Sequence, residues 1–234
     1  MRVVLTREKG FNDELRAWLP DDVVVDEVPL TTTHYFDVDD VIAGLRQESR
    51  FATFAALVAS SGRCARYVPK AREALRDGGV VLAVGDATAR ALRDTNVVVD
   101  VVGQGSAVNL APSVDEGPVL LLGAAMPRDE LRVALESKGI DVVALACYET
   151  LSALLRQSDE QALQRGDVIF IGAPSAWAVA QGLVRQDALV VVPGATTAEV
   201  VRASHDNVIE GWGPDLKARL VGHVHGGNSN EDRQ

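Results

Sequence analysis

The sequence predicts an α/β protein made of two parallel-sheet domains, and three observations carry that prediction. Short Val/Leu/Ile-rich runs alternate with Ala/Leu-rich helical patterns along the whole chain, as in βαβ units. Aromatic residues make up only 5% of the chain, which suits buried parallel strands under Ala/Leu-rich helices. About ten strand-like runs in 234 residues are too many for one small doubly wound sheet.

The elements follow in order. Apolar runs predict strands at Arg2–Thr6, Val23–Val28, Ala52–Val58, Val80–Val84 and Val97–Val101. Further runs predict strands at Val119–Leu122, Val142–Cys147, Val168–Ile171, Leu189–Val192 and Asp206–Glu210. Helical patterns fill the gaps at Asn12–Trp18, Val38–Gln47, Arg63–Arg76, Thr88–Arg93, Pro127–Ser137, Pro174–Val184 and Thr197–Ala203. The Gly/Asn/Asp-rich end, residues 222–234, is expected to be a disordered tail.

The chain also echoes itself. VVLTREKG near Val3 matches VLLLGAAM near Val119, and FAALVASSGRCARY from Phe54 matches DVIFIGAPSAWAV from Asp167. VVLAVGDATARAL from Val80 matches ALVVVPGATTAEVV from Ala188. The offsets shrink only from about 116 to about 109 and the order is kept, which argues for two similar α/β halves. The repeat alone places the cut near Glu116-Gly117-Pro118.

Composition narrows the chemistry. A net charge of −10 without a Lys/Arg-rich block leaves nucleic-acid binding no electrostatic footprint. No apolar run reaches the ~20 residues of a membrane span, and the amino end reads as a strand, so a cytoplasmic protein is expected. Cys64 and Cys147 have neither CxxC spacing nor a Cys/His cluster, so metal binding and redox work are not expected. Phosphate fingerprints of the GxxxxGK[ST] and GxGxxG types are missing, as is the GxSxG of serine hydrolases. His34 and His205 read as ordinary surface residues.

Four strand-to-helix turns remain: Ala59-Ser60-Ser61-Gly62, Gly85-Asp86-Ala87-Thr88, Gly172-Ala173-Pro174-Ser175 and Gly194-Ala195-Thr196-Thr197. In parallel sheets such turns sit at the carboxyl edge, where ligands bind, and helix starts there hold anions. Each turn alone reads equally as helix capping. In matched pairs they suggest a shared binding cleft for an anion, with Ser60, Ser61, Thr88, Ser175, Thr196 and Thr197 as the hydroxyl donors. Arg7, directly after the first strand, is a candidate anion contact. Tyr148, ending the strand Val142–Cys147, is a candidate proton donor to a leaving group.

Together these residues resemble the uroporphyrinogen-III synthase family from Arg2 to about Leu220. The first strand ends in Thr6-Arg7, and Ser60 stands in a turn like the family's Thr-Ser motif. Val84-Gly85-Asp86-Ala87-Thr88-Ala89 is similar to its VGxxTA turn. Gly139 precedes the strand that ends in Tyr148-Glu149-Thr150, and Pro174-Ser175-Ala176 and Gly194-Ala195-Thr196-Thr197-Ala198 follow. Departures are Ala59 before Ser60, Gly172-Ala173 at the second Thr-Ser pair, Leu122 at a usual arginine, and Glu8 at a usual proline.

The resemblance implies two flavodoxin-like domains joined by a two-strand hinge. One would hold residues 1–32 plus 151–221 and the other 33–150. It implies a cofactor-free, metal-free lyase that closes hydroxymethylbilane into uroporphyrinogen III with inversion of the last ring and loss of water. Tyr148 would assist departure of the hydroxyl. Arg7, Ser60, Ser61, Thr88, Ser175, Thr196 and Thr197 would bind the substrate's carboxylates or position its pyrroles. A monomer in transient contact with the bilane-forming deaminase is expected. The alternative on the same frame is a non-catalytic protein that binds an anionic metabolite.

Overall fold

The computed structural model describes residues 1–220 apart from 49–50, 106–107, 127–128, 212, 214–215 and 217. The expected tail, 222–234, and the first residues of the helix expected from Pro127 lie outside the described residues. The chain divides into two compact units, Met1–Thr32 with Leu151–Gln234, and Thr33–Thr150.

Unit 1 opens with β1 (Arg2–Leu5), α1 (Asp13–Ala17) and β2 (Val24–Glu27). The first strand of the crossing, β3 (Thr31–Tyr35), then leads into unit 2. Unit 2 contains α2 (Val38–Glu48), β4 (Phe54–Ala59), α3 (Val68–Ala71), β5 (Leu75–Ala83), α4 (Asp86–Arg93), β6 (Val101–Val102), β7 (Val119–Ala124) and α5 (Glu130–Ser137). The long strand β8 (Val142–Ser152) leads back into unit 1. Unit 1 closes with α6 (Gln157–Arg165), β9 (Val168–Phe170), α7 (Pro174–Ala180), β10 (Leu189–Val192), α8 (Ala195–Arg202) and β11 (Val208–Glu210).

The strand order of unit 1 is β11-β10-β9-β1-β2, with every pair parallel. Strands covered on both faces need apolar residues at every position, and β4, β9 and β10 are buried throughout. Alternation still sorts the two faces. In β1, Val4 joins Trp177 and Val190 on one side, whereas Val3 and Leu5 join Leu15 and Phe170 on the other. In β4, Leu57 and Ala59 face Tyr67 and Leu92, whereas Ala56 and Val58 face Leu110 and Leu131.

Unit 2 has the order β3-β8-β7-β4-β5-β6. β3 runs against β8, from Leu30 opposite Ala153 (2.9 Å) to Phe36 opposite Cys147 (3.1 Å). Without β3 the order is β8-β7-β4-β5-β6, which matches β2-β1-β9-β10-β11 position for position. The sequence echoes pair the same strands, β1 with β7, β4 with β9 and β5 with β10. The chain is therefore a tandem repeat that folds by exchange. The last three strands of the first repeat pair with the first two of the second, and the converse set makes unit 1. Glu116-Gly117-Pro118, where the repeat alone placed a domain cut, lies inside unit 2.

Each predicted strand has a counterpart, and the corrections have local causes. The helix expected over Arg63–Arg76 breaks into a 3₁₀ turn at Gly62–Cys64, the four-residue α3 and a second 3₁₀ turn at Arg72–Ala74. Pro69 tolerates only the first turn of a helix, and it stands there in α3. The strand expected at Val97–Val101 shrinks to Val101–Val102. Asn96 enters this region with φ +58°, and pairing begins only where Asp100 accepts the Val81 N–H at 2.7 Å. β3 and α6 were not predicted from patterning: TTTHY is polar, and α6 buries only Leu163. His205 is not a surface residue; it is 2% exposed, with Nε2 2.8 Å from the Ala188 carbonyl and its ring edge-on to Trp177.

Candidate functional site

In unit 2 the strand ends of β4, β7 and β8 meet at one place. The Ser60 N–H donates to the Leu122 carbonyl at 3.0 Å and the Ala125 N–H to the Tyr148 carbonyl at 2.7 Å. The β7–β8 register shifts between Gly123 and Ala124, so Cys147 is the extra residue of a bulge and Tyr148 pairs with Ala124. Gly123 is glycine for a reason of space, since a Cβ there would lie 3.1 Å from Ser60 Oγ. Gly62 packs equally closely on α4, 3.1 Å from Ala91 Cβ by the same construction and near Thr88 Cα. Ser60, Ser61, Thr88 and Tyr148, four of the residues expected from sequence, thus share one strand-end cluster.

Tyr148 is 6% exposed and packs against Tyr35, with ring centroids 6.3 Å apart. Burial pushes its phenol above the ordinary range, and hydrogen bonds from the Ser61 hydroxyl and the Arg63 guanidinium partly pull it back. The Arg63 guanidinium carbon stands 5.7 Å from the ring centroid. The Ser61 hydroxyl is itself oriented, because it accepts the Arg63 N–H at 3.3 Å. Arg63, directly after the Ser60-Ser61-Gly62 turn, was missed in the sequence.

Beneath Tyr148, Tyr67 is fully buried, with its hydroxyl shared between the Phe36 carbonyl (2.7 Å) and the Cys147 carbonyl. Burial raises its phenol to about 12. This bond fixes the 3₁₀ segment behind the turn to both β8 and the chain after β3.

Unit 1 repeats the frame with fewer polar neighbours. The Thr6 hydroxyl donates to the Phe170 carbonyl and ties the ends of β1 and β9 together. Arg7 is partly exposed after β1, and its carbonyl accepts from Asn12 Nδ2 at 3.3 Å. Ser175 and Thr196 are exposed, in the first turns of α7 and α8. Thr197 and Thr88 occupy matching places in α8 and α4, 5% and 7% exposed, in the helix–sheet layer. Both helices start at an extended glycine, Gly194 or Gly85, with no side-chain cap. The surroundings differ. Gly85 lies under the Gly103-Gln104-Gly105 loop, where its Cβ would stand 3.1 Å from Gly105 Cα; Gly194 has nothing within 4 Å. A Cβ at Gly103 would in turn stand 2.7 Å from the Val84 carbonyl oxygen.

Among the described residues no three His, Cys, Asp or Glu side chains gather as a metal site, and no helix is long and apolar enough to cross a membrane. Against known families, the model for uroporphyrinogen-III synthase HemD matches residues 22–210. No curated protein sequence matches the chain significantly. Solved structures that share the fold include the following two. A uroporphyrinogen-III synthetase from Helicobacter pylori is 18% identical with a TM-score of 0.66, covering 96% of this chain and 99% of that one. A mutant uroporphyrinogen III synthase from Thermus thermophilus is 19% identical with a TM-score of 0.61, covering 96% and 98%.

Proposed function

The chain belongs to the uroporphyrinogen-III synthase family, the cyclising hydro-lyases of tetrapyrrole biosynthesis, and on that premise we propose that Tyr148 gives the proton that releases water from hydroxymethylbilane. The observation behind this assignment is the Tyr148 phenol held by Ser61 and Arg63 at the strand ends of unit 2. The C–O bond of the terminal hydroxymethyl group breaks, and the hydroxyl leaves as water with the phenol's proton. Arg63 and Ser61 stabilise the phenolate left behind. The electrophilic carbon is attacked by the substituted carbon of the last ring, giving a spiro intermediate. That intermediate fragments and recloses at the ring's free position, and the proton lost on rearomatisation returns to Tyr148.

The substrate carries eight carboxylates, and a chain of net charge −10 does not attract it by overall charge. Local donors do that work in this reading. They are Ser60, Ser61 and Thr88 in unit 2, with Arg7, Ser175, Thr196 and Thr197 in unit 1. Holding the bilane so that inverted closure outruns spontaneous uninverted closure accounts for much of the catalysis. The protein acts as a cytoplasmic monomer that meets the bilane-forming deaminase transiently.

The test is a coupled assay with porphobilinogen and that deaminase, followed by oxidation and separation of uroporphyrin isomers. Isomer III is expected. Product that is entirely isomer I overturns the assignment and favours a non-catalytic binder.

A further inference from the structure

Arg66 follows Arg63 by three residues, on a stretch wound by successive hydrogen bonds between residues three apart. The Ala65 N–H donates to the Gly62 carbonyl at 3.1 Å, the Tyr67 N–H to the Cys64 carbonyl at 2.9 Å and the Val68 N–H to the Ala65 carbonyl at 3.3 Å. Side chains three apart eclipse in such a turn, and Arg63 and Arg66 accordingly reach neighbouring rings. The Arg63 guanidinium carbon stands 5.7 Å from the Tyr148 ring centroid, and that of Arg66 4.3 Å from the Tyr35 ring centroid. The rings are neighbours by register. With Leu30 opposite Ala153 and Phe36 opposite Cys147, antiparallel pairing sets Tyr35 directly across from Tyr148, and their centroids are 6.3 Å apart. Two tyrosines therefore make one aromatic strip, with a guanidinium on each.

The strip is fixed from behind. Tyr67, the residue after Arg66, binds the carbonyls of Phe36 and Cys147, which are the chain neighbours of Tyr35 and Tyr148. In front it is open, with Tyr35 half-buried and Arg66 exposed. Nearby cations of unit 2 are paired, Lys70 with Asp39 and Arg46 with Glu73 at 3.0 Å. Arg66 makes no ion pair among the described residues, although Asp and Glu outnumber Lys and Arg by 33 to 23 in the chain. A guanidinium seated on a ring by its face keeps its in-plane N–H fork for a carboxylate. The ring also holds the long side chain in place before a ligand arrives, which lowers the entropy lost on binding.

We propose that Arg66, seated on Tyr35, is a substrate-binding residue whose guanidinium takes a carboxylate arm of the pyrrole that reacts at Tyr148. This rests on the functional reading above and adds a subsite to it. Each pyrrole of the bilane carries an acetate and a propionate arm on adjacent carbons. Arg63 is committed to the Tyr148 phenol, whereas Arg66 offers its fork one ring further along the strip. An arm held there fixes how the pyrrole is turned relative to the phenol, and the electroneutral pairing offsets the repulsion between the polyanion and an acidic chain.

The experiment measures the kinetics of isomer III formation and, separately, the binding of uroporphyrin III to the full chain by fluorescence titration. Arg66→Gln should raise both KM for hydroxymethylbilane and Kd for uroporphyrin III on the order of 10-fold, as for one lost hydrogen bond to a charged group, with a smaller fall in kcat. Arg66→Lys should recover only part, because an ammonium has no planar fork. Tyr35→Leu should raise both constants by about 2- to 5-fold through loss of the cation–π seat, and Tyr35→Phe should restore most of that. Unchanged KM and Kd in Arg66→Gln overturn the subsite, as does a fall in kcat alone. Complete rescue by Arg66→Lys overturns the role given to the Tyr35 ring. Wild-type protein that binds uroporphyrin III through Arg66 but forms no isomer III leaves the subsite standing and overturns the functional reading instead.

Discussion

The two units share one strand order and differ in what they place at its ends. In unit 2 the turn after β4 carries Ser60, Ser61 and Arg63, and the end of β8 adds a buried tyrosine to the same point. In unit 1 the matching turn after β9 is Gly172-Ala173-Pro174-Ser175, with Ser175 exposed, and the matching strand β2 ends in Asp26-Glu27. Parallel sheets supply a carboxyl edge wherever they form. The comparison teaches that the edge is generic, whereas the chemistry depends on which side chains the turns hold and how they orient one another.

The asymmetry can be broken most directly at its strongest point. Tyr148→Phe should lower isomer III formation by about 10²–10⁴-fold, the range for a lost general acid, with an unchanged fold by circular dichroism. Ser175→Ala should change it by no more than a few-fold. Equal losses would abolish the distinction between the units. Arg63→Gln should cost about 10–100-fold, the range for a hydrogen bond to a charged group, and Arg63→Lys should recover part of it. Because Arg63 pulls the Tyr148 phenol down, its loss should also move the alkaline limb of the rate profile to higher pH. A uniform loss at all pH values would reduce Arg63 to a packing role.

Smaller effects sharpen the comparison in stability. Tyr67→Phe should cost about 1–3 kcal/mol by removing the buried hydroxyl's bonds to the Phe36 and Cys147 carbonyls, read from urea midpoints. Its phenol is raised to about 12, against the ordinary 10 of an unfolded chain. The folded state thus holds that proton more tightly, so stability is fully present below pH 10 and is lost as pH rises toward 12. The phenylalanine variant should lack that alkaline slope. Gly85→Ala should destabilise by about 1 kcal/mol, since its Cβ presses on the Gly105 backbone. Gly194→Ala, with open space around it, should stay within about 0.5 kcal/mol. Equal costs at the two glycines would mean that the Gly103–Gly105 loop does not bear on α4.

Much of this frame was legible in the sequence, because buried parallel strands write themselves as unbroken apolar runs such as LVVV and FAALVA. The polar strand β3 and the one-contact helix α6 left no such trace, as their placement depends on pairing with β8 and on a cap between Arg156 and Asp159. The turn hydroxyls and Tyr148 could be named from their positions after strands. Arg63 could not, because its role comes from β4 and β8 sharing β7 as a neighbour.

The exchange of strands between the repeats also sets a timetable. During synthesis β1 and β2 emerge first, yet the partner Val168 of Val3 is made 165 residues later. Unit 2 has all its own strands once β8 has left the ribosome. Unit 1 must keep an unpaired edge of β1 waiting until β9 arrives. The finished insert then holds the ends of β3 and β8 side by side, so the long loop of unit 1 is already closed when its last strands appear. Unit 2, which carries Tyr148, therefore has its full set of strands before unit 1 does.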